Sequence, residues 1–229
     1  MLNDRQKQIL EIVDNKKRVS VIALSKALFV SQMTVRRDLQ KMEQEGHIRR
    51  YHGGALALED YINASIDVRM RVYEKEKRTM AAQAEKYVRD GQTIFLNSSS
   101  TCAYVIPCLK KHKDITVVTN SVQFLLMLSK LHIKCILAGG EYLENDRCLV
   151  GRNTENFLRN INPDIAFLSC SGISDSGAVT EFEEATAEIT RIAVANSKRK
   201  ILLADNSKLG QTYTHTVCHV DDMDDVIVI

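Results

Sequence analysis

Residues Val30 to Leu39 read VSQMTVRRDL. Val35 and Leu39, with Met42 beyond them, recur at i, i+4 and i+7, the spacing that puts apolar side chains on one face of a helix. Roughly opposite lie Met33, Arg37 and Lys41, flanked by Gln32, Thr34 and Arg36. Ser31 is a favoured N-cap residue, so the helix is expected to start just after it. Read alone, the stretch has two explanations. It is either a surface that binds something, or a solvated helix with Arg36 or Arg37 tied to Asp38, Glu43 or Glu45.

The flanking sequence separates the two. DRQKQILEIVDNK (4–16) places Ile9, Leu10, Ile12 and Val13 near one helix face, with Asp4 as a plausible N-cap. Ser20 can cap VIALSKALF (21–29), whose Ile22, Leu24, Ala27 and Leu28 can face a core. About three residues part that helix from the next, the spacing of a helix-turn-helix. Gly46 is a stop signal, and HIRRYHGGALAL (47–58) reads as a strand, a turn at Gly53–Gly54 and a second strand.

A helix with paired arginines near its N-terminus, set in this frame, suits the major groove of DNA. Guanidinium forks bind phosphate or guanine O6 and N7, and Gln32 and Thr34 reach base edges or phosphates. The expected DNA-contacting set is therefore Ser31, Gln32, Met33, Thr34, Arg36, Arg37 and Lys41, with Arg49, Arg50 and His52 on the hairpin as a wing. Charge agrees: residues 1–54 hold 11 Lys and Arg against 6 Asp and Glu, a net of +5, and the remainder is net −3.

Downstream the pattern changes, so a linker is expected near 55–65, followed by one long helix from Asp67 to Asp90 ended by Gly91. Strand-like runs then alternate with helical ones: TIFLN (93–97), ITVVT (115–119), IKCILA (133–138), DIAFLSC (164–170), KRKILLAD (198–205) and DVIVI (225–229). Helical patterns at 101–111, 121–131, 152–160 and 181–197 lie between them, which predicts a mainly parallel sheet with covering helices. After the strands come NSSST (97–101), TNS (119–121), AGG (138–140), SGISDSG (171–177) and DNSK (205–208). Small, polar or glycine-rich loops at the carboxyl ends of parallel strands are ordinary turn chemistry one at a time. Several at one edge point to a pocket that favours anions.

Residues 19–55, VSVIALSKALFVSQMTVRRDLQKMEQEGHIRRYHGGA, resemble the winged helix-turn-helix signature of the DeoR family of bacterial transcriptional regulators. The VS-x-x-T-V-RRDL core, the E-x-x-G that ends the helix, and the terminal R-x-HGGA match in order and spacing. TVVTNS (116–121), AGG, DIAFLSCSGIS (164–174), Glu184–Ala185 and LLADNSKLG (202–210) resemble the family's effector-sensing domain. The resemblance implies an α/β protein, with a small N-terminal winged helix-turn-helix domain over 1–57 and a mainly parallel-sheet sensor over 58–229 similar in fold to ribose-5-phosphate isomerase. It implies a cytoplasmic operator-binding repressor, not an enzyme, whose affinity for double-stranded operator DNA a phosphorylated sugar or related metabolite alters. A homo-oligomer, dimer or tetramer, is expected, because one short recognition helix reads too few bases. No cofactor is expected.

Carried over from the family, the effector loops are Asn97, Ser98, Ser99, Ser100, Thr101, Asn120, Ser121, Gly139, Gly140, Gly172, Glu184, Asp205 and Lys208. Serine and threonine hydroxyls at a helix start suit phosphate, and carboxylates and amides suit sugar hydroxyls. One departure stands out: the family carries D-S-G-S-T where this chain has NSSST. Asn97 replaces an acidic group and Ser99 a glycine that allows close phosphate approach, so altered effector binding is expected. The chain also stops inside the last strand, where relatives carry a further short tail.

Two other readings stay open. One is a constitutive DNA binder whose second domain mainly oligomerises. The other is an active sugar-phosphate isomerase, for which Glu184, Asp205 and Lys208 are the set that could abstract a proton and stabilise an enediolate. His215, Cys218 and His219 in HTVCH read as strand rather than metal ligands, since adjacent residues of a strand face opposite ways. Six cysteines without a C-x-x-C pair read as reduced core thiols. No apolar run approaches the length of a membrane span, and the N-terminus does not read as a signal peptide.

Overall fold

A computed structural model describes residues 2–45, 47–51, 53–57 and 64–229. His52, Gly46 and most of the expected linker lie outside the described residues. The chain divides into two compact units, Met1–Glu74 and Lys75–Ile229.

In the first unit, helix α1 (Asp4–Lys16) is capped by Asn3 rather than Asp4. Asn3 and Gln6 form a reciprocal capping box, which satisfies two backbone donors instead of one. A short strand that periodicity does not reveal, β1 (Arg18–Ser20), precedes α2 (Val21–Leu28), and Ser20 caps that helix as expected. Leu24 and Leu28 face the core as expected, but Ile22 is 56% exposed and Ala27 is exposed, and Val21 is buried instead. Helix α3 (Gln32–Gln44) follows three residues later, capped by Ser31. Strands β2 (Ile48–Tyr51) and β3 (Gly54–Ala57) form the hairpin, and β1 adds to it antiparallel in the order β1-β3-β2. Gly54 is required here: a Cβ would lie 2.2 Å from the Val19 carbonyl oxygen. Val35, Leu39 and Met42 meet Ile9, Val13, Leu24 and Ile48 in one core.

The expected long helix is broken. Helix α4 (Ile66–Arg71) ends at Val72, which is extended, and Tyr73 takes a left-handed φ of 53° before α5 (Glu74–Ala84) begins. Val72 is fully buried, and tertiary burial of that kind overrides helix propensity.

In the second unit the alternation is realised. Strand β4 (Thr93–Leu96) is followed by a 3₁₀ turn and α6 (Val105–Leu109), then β5 (Thr116–Thr119), α7 (Val122–Lys130) and β6 (Lys134–Leu137). A hairpin of β7 (Glu141–Leu143) and β8 (Cys148–Val150) leads to α8 (Arg152–Arg159) and β9 (Ile165–Leu168). Then come β10 (Gly172–Ile173), β11 (Ala178–Glu181), α9 (Glu184–Asn196), β12 (Lys200–Ala204), β13 (His215–His219) and β14 (Asp225–Val228). Six strands pair in parallel in the order β14-β12-β9-β4-β5-β6. The central strands are apolar on both faces, as a sheet covered on both sides requires. Because neighbours run parallel, the loops after β12, β9, β4, β5 and β6 all leave the same edge. A small antiparallel sheet, β10-β11-β13, stands apart from it.

Candidate DNA-reading surface and effector site

The solvated-helix explanation of α3 needs carboxylates for Arg36 and Arg37, and each nearby carboxylate is otherwise engaged. Asp38 is buried and accepts from Arg5 Nε at 2.6 Å, Arg5 Nη2 at 3.2 Å and Gln6 Nε2 at 3.3 Å. That contact raises the Arg5 pKa, chiefly through the hydrogen bond. Glu43 takes the Arg50 backbone N–H at 2.8 Å and its guanidinium at 3.6 Å. Glu45 lies 3.7 Å from Lys41 and 3.6 Å from His47. Among the described residues, Arg36 and Arg37 enter no ion pair, and both are exposed beside exposed Ser31, Gln32 and Met33.

The side chains of Ser31 and Thr34 hydrogen-bond each other at 2.9 Å, and Ser31 Oγ accepts the Thr34 N–H at 3.1 Å, so these two groups mainly set the helix N-terminus. Lys41 is exposed two turns along. On the hairpin, Arg50 is half-buried and Arg49 is 8% exposed. Alternation along β2 puts Arg49 and Arg50 on opposite faces, which withdraws Arg49 from the open wing surface expected of it. Arg18, from the strand the sequence did not reveal, stacks its guanidinium on the Tyr51 ring at 4.5 Å.

At the carboxyl edge of the parallel sheet, the expected effector residues separate into three groups. The first is built into the scaffold. Asn97 is 5% exposed; its Nδ2 donates to the Ser169 carbonyl at 2.9 Å and its Oδ1 accepts the Ser169 N–H at 3.3 Å, stapling the ends of β4 and β9. Ser99 Oγ accepts the Cys102 N–H at 3.1 Å, and Ser121 Oγ caps α7 through the Phe124 N–H at 3.2 Å. A Cβ on Gly140 would fall 2.0 Å from Thr154 Oγ1, and one on Gly172 2.5 Å from the Gln211 carbonyl oxygen. These two glycines admit neighbouring protein, whereas Gly139 faces open space.

The second group is buried and polar with capacity to spare. Lys208 is 8% exposed and donates to Ser169 Oγ at 2.7 Å, with no ion pair among the described residues. Asp205 is 1% exposed; its Oδ1 holds the Ser207 N–H at 3.1 Å and the Ser207 hydroxyl, while Oδ2 accepts nothing. Asn120 gives its Nδ2 to the Leu149 carbonyl at 3.0 Å, and its Oδ1 accepts nothing. Thr101 Oγ1 is likewise buried without a partner. Ser100 accepts from the fully buried Lys77 of α5 at 3.0 Å. Ser98 sits partly exposed on the same loop. Burial of such groups costs stability unless partners satisfy them.

Glu184 belongs to neither set. It opens α9, where Arg191 pairs with it at 2.9 Å and His215 also contacts it; chiefly the Arg191 hydrogen bond holds its carboxyl below the ordinary value. Sequence reasoning missed Lys77, since a lysine in a helix reads as solvated, and Ser169, which sits inside an apolar strand run. The chemistry nearby is unreactive: burial pushes the Cys102 and Cys170 thiols up to about 12. All six cysteines are free, with Cys102, Cys148 and Cys170 buried. Among the described residues no helix is long and apolar enough to cross a membrane.

Comparison with known proteins gives concordant matches for both units. The DeoR-like helix-turn-helix domain matches residues 5–60, and the DeoR C terminal sensor domain matches 73–228. The chain is 32% identical over 230 residues to the uncharacterized HTH-type transcriptional regulator YulB of Bacillus subtilis (strain 168), covering 99% of this chain and 88% of that protein. It is 31% identical to the lactose phosphotransferase system repressor of Staphylococcus epidermidis, covering 98% and 90%. To the glycerol-3-phosphate regulon repressor of Escherichia coli (strain K12) it is 30% identical, covering 90% and 82%. Among solved structures, eIF2B delta of Chaetomium thermophilum aligns with a TM-score of 0.51 at 15% identity, over 66% of this chain and 54% of that one, a likeness of fold alone. Ribose 5-phosphate isomerase A of Methanocaldococcus jannaschii aligns at 0.44 and 20% identity, over 59% and 54%. With a capped helix α3 whose arginines enter no ion pair among the described residues, a parallel-sheet unit following in the chain, and both family models matched in order, the chain belongs to the DeoR family of DNA-binding transcriptional regulators.

Proposed function

We propose that the protein represses an operon of carbohydrate metabolism, and that a phosphorylated sugar or related metabolite sets its operator affinity. Residues 1–57 read DNA, and residues 58–229 sense the effector and hold the oligomer, a dimer or tetramer matched to a symmetric operator. One observation carries the effector class. Among the described residues, a buried ammonium, Lys208, has no carboxylate partner, and two buried acceptors at the same sheet edge, Asp205 Oδ2 on its own loop and Asn120 Oδ1 after β5, have no donor. An anion with hydroxyl groups answers both needs at once: its phosphate meets Lys208 and the Ser98–Thr101 hydroxyls, and its hydroxyls donate to Asp205 and Asn120.

The isomerase alternative loses one of its three groups. Glu184 is committed to Arg191 and His215, so it does not join Asp205 and Lys208 as a carboxylate for proton abstraction. The reading is non-enzymatic control of transcription.

Thermal unfolding against a panel of phosphorylated sugars, each beside its unphosphorylated counterpart, tests this. At a hundredfold excess over Kd, a specific ligand stabilises by about 2.7 kcal/mol. For a chain of this size that raises Tm by about 5–10 °C. Lys208→Met should remove the response. No shift across the panel, or an equal shift with Lys208→Met, overturns the assignment; the former leaves the second unit as an oligomerisation module.

A further inference from the structure

We propose that Met33 reads the 5-methyl group of thymine in the operator and so sets part of the sequence specificity; this rests on the DNA-binding reading above. Met33 is the second residue of α3 and is 65% exposed. Arg36 and Arg37 follow at i+3 and i+4, which places all three on one helix face. Val35 of the first turn is buried in the core, and the other groups there are polar. Gln32 is exposed, and Thr34 shares its hydroxyl with Ser31. Met33 is therefore the apolar element of the surface that leads into the groove.

A large apolar side chain held in water is an unfavourable placement, and the major groove offers one apolar group that compensates for it. Among the base edges only thymine presents a methyl there; guanine, cytosine and adenine present donors and acceptors. The methionine thioether is unbranched and polarisable, so it can settle on a methyl without exact preorganisation. The unengaged arginines beside it suit guanine, so the half-site should place thymine next to guanine. Two further apolar side chains lie exposed nearby in sequence, Ile22 at 56% and Phe29 at 95%. Phe29 stands at the turn between α2 and α3 with a left-handed φ of 53°, before the reading helix begins.

The experiment uses the full chain. Duplexes are selected from a randomised library by the wild-type protein, and each thymine of the selected half-site is then replaced singly by uracil, which removes the methyl and nothing else. Wild-type protein should bind at least one uracil duplex about fourfold or more weakly. Met33→Ala should bind the thymine and uracil forms equally, while Arg36→Ala weakens both and keeps their ratio. Equal wild-type affinity for every uracil duplex overturns the proposal, as does Met33→Ala that still discriminates. Loss of discrimination in Phe29→Ala with Met33→Ala unaffected moves the reader to the turn and also overturns it. Selection of no duplex refutes the DNA-binding reading itself. A melting curve of each variant, expected to match wild type because Met33, Arg36 and Phe29 are all exposed, separates binding from folding.

Discussion

Replacing Arg36 and Arg37 together by alanine should remove DNA contacts and leave the fold of the first unit intact. The core face of the same helix is Val35, Leu39 and Met42, each no more than 1% exposed, whereas the two arginines are exposed and bound to no carboxylate among the described residues. If both make bidentate base contacts at about 1–3 kcal/mol each, the double variant loses about 2–6 kcal/mol. That is roughly a thirtyfold to twenty-thousandfold rise in Kd. If they hold phosphates instead, each contact contributes about 0.9 to the slope of log K against log salt, so the slope becomes shallower by about 1.8. Fluorescence anisotropy of a labelled duplex, titrated at several salt concentrations, measures both quantities. Loss of affinity at constant slope assigns base reading; loss with a shallower slope assigns phosphate anchoring. An unchanged Kd and an unchanged slope, with an unchanged melting curve, would refute the reasoning that makes α3 the reading helix.

Two scaffold predictions concern the effector edge. Asn97→Asp loses the donor to the Ser169 carbonyl, so at neutral pH it should destabilise by about 1–3 kcal/mol, measured by thermal unfolding. Only the protonated carboxyl can donate there, so its folded pKa lies above the unfolded value, and the deficit should grow as pH rises between the two; equal stability at all pH would show that the staple is dispensable. Gly140→Ala should cost about 1–3 kcal/mol by overpacking against Thr154, while Gly139→Ala, with open space at its Cβ, should be near neutral; equal Tm values would refute the distinction.

Much of the architecture was legible because its signals are local. The strand runs at 93–97, 115–119, 133–138, 164–170, 198–205 and 225–229 became the six strands of the parallel sheet, since buried parallel strands read as continuous apolar stretches. Ser20 and Ser31 cap their helices as residue type and position predicted. Elements that depend on distant partners were not legible. Strand β1 is three residues long and exists through its pairing with β3, and the hairpin of β7 and β8 is equally short. The break at Val72–Tyr73 carries no glycine or proline to announce it.

The candidate sites divide along the same line. Sequence alone determined that a helix with two adjacent arginines follows a three-residue turn, and that polar loops end the parallel strands, because both are matters of spacing and residue type. Only the tertiary structure decided which of those groups are available. Asp38 is taken by Arg5 and Gln6 from a helix more than thirty residues earlier, which leaves Arg36 and Arg37 open. Asn97 is spent on Ser169 and Glu184 on Arg191, while Lys208, Asp205 and Asn120 keep hydrogen-bonding capacity that the described residues do not fill. A residue's type states what it can bond, but burial and its neighbours in space determine what remains to be bonded.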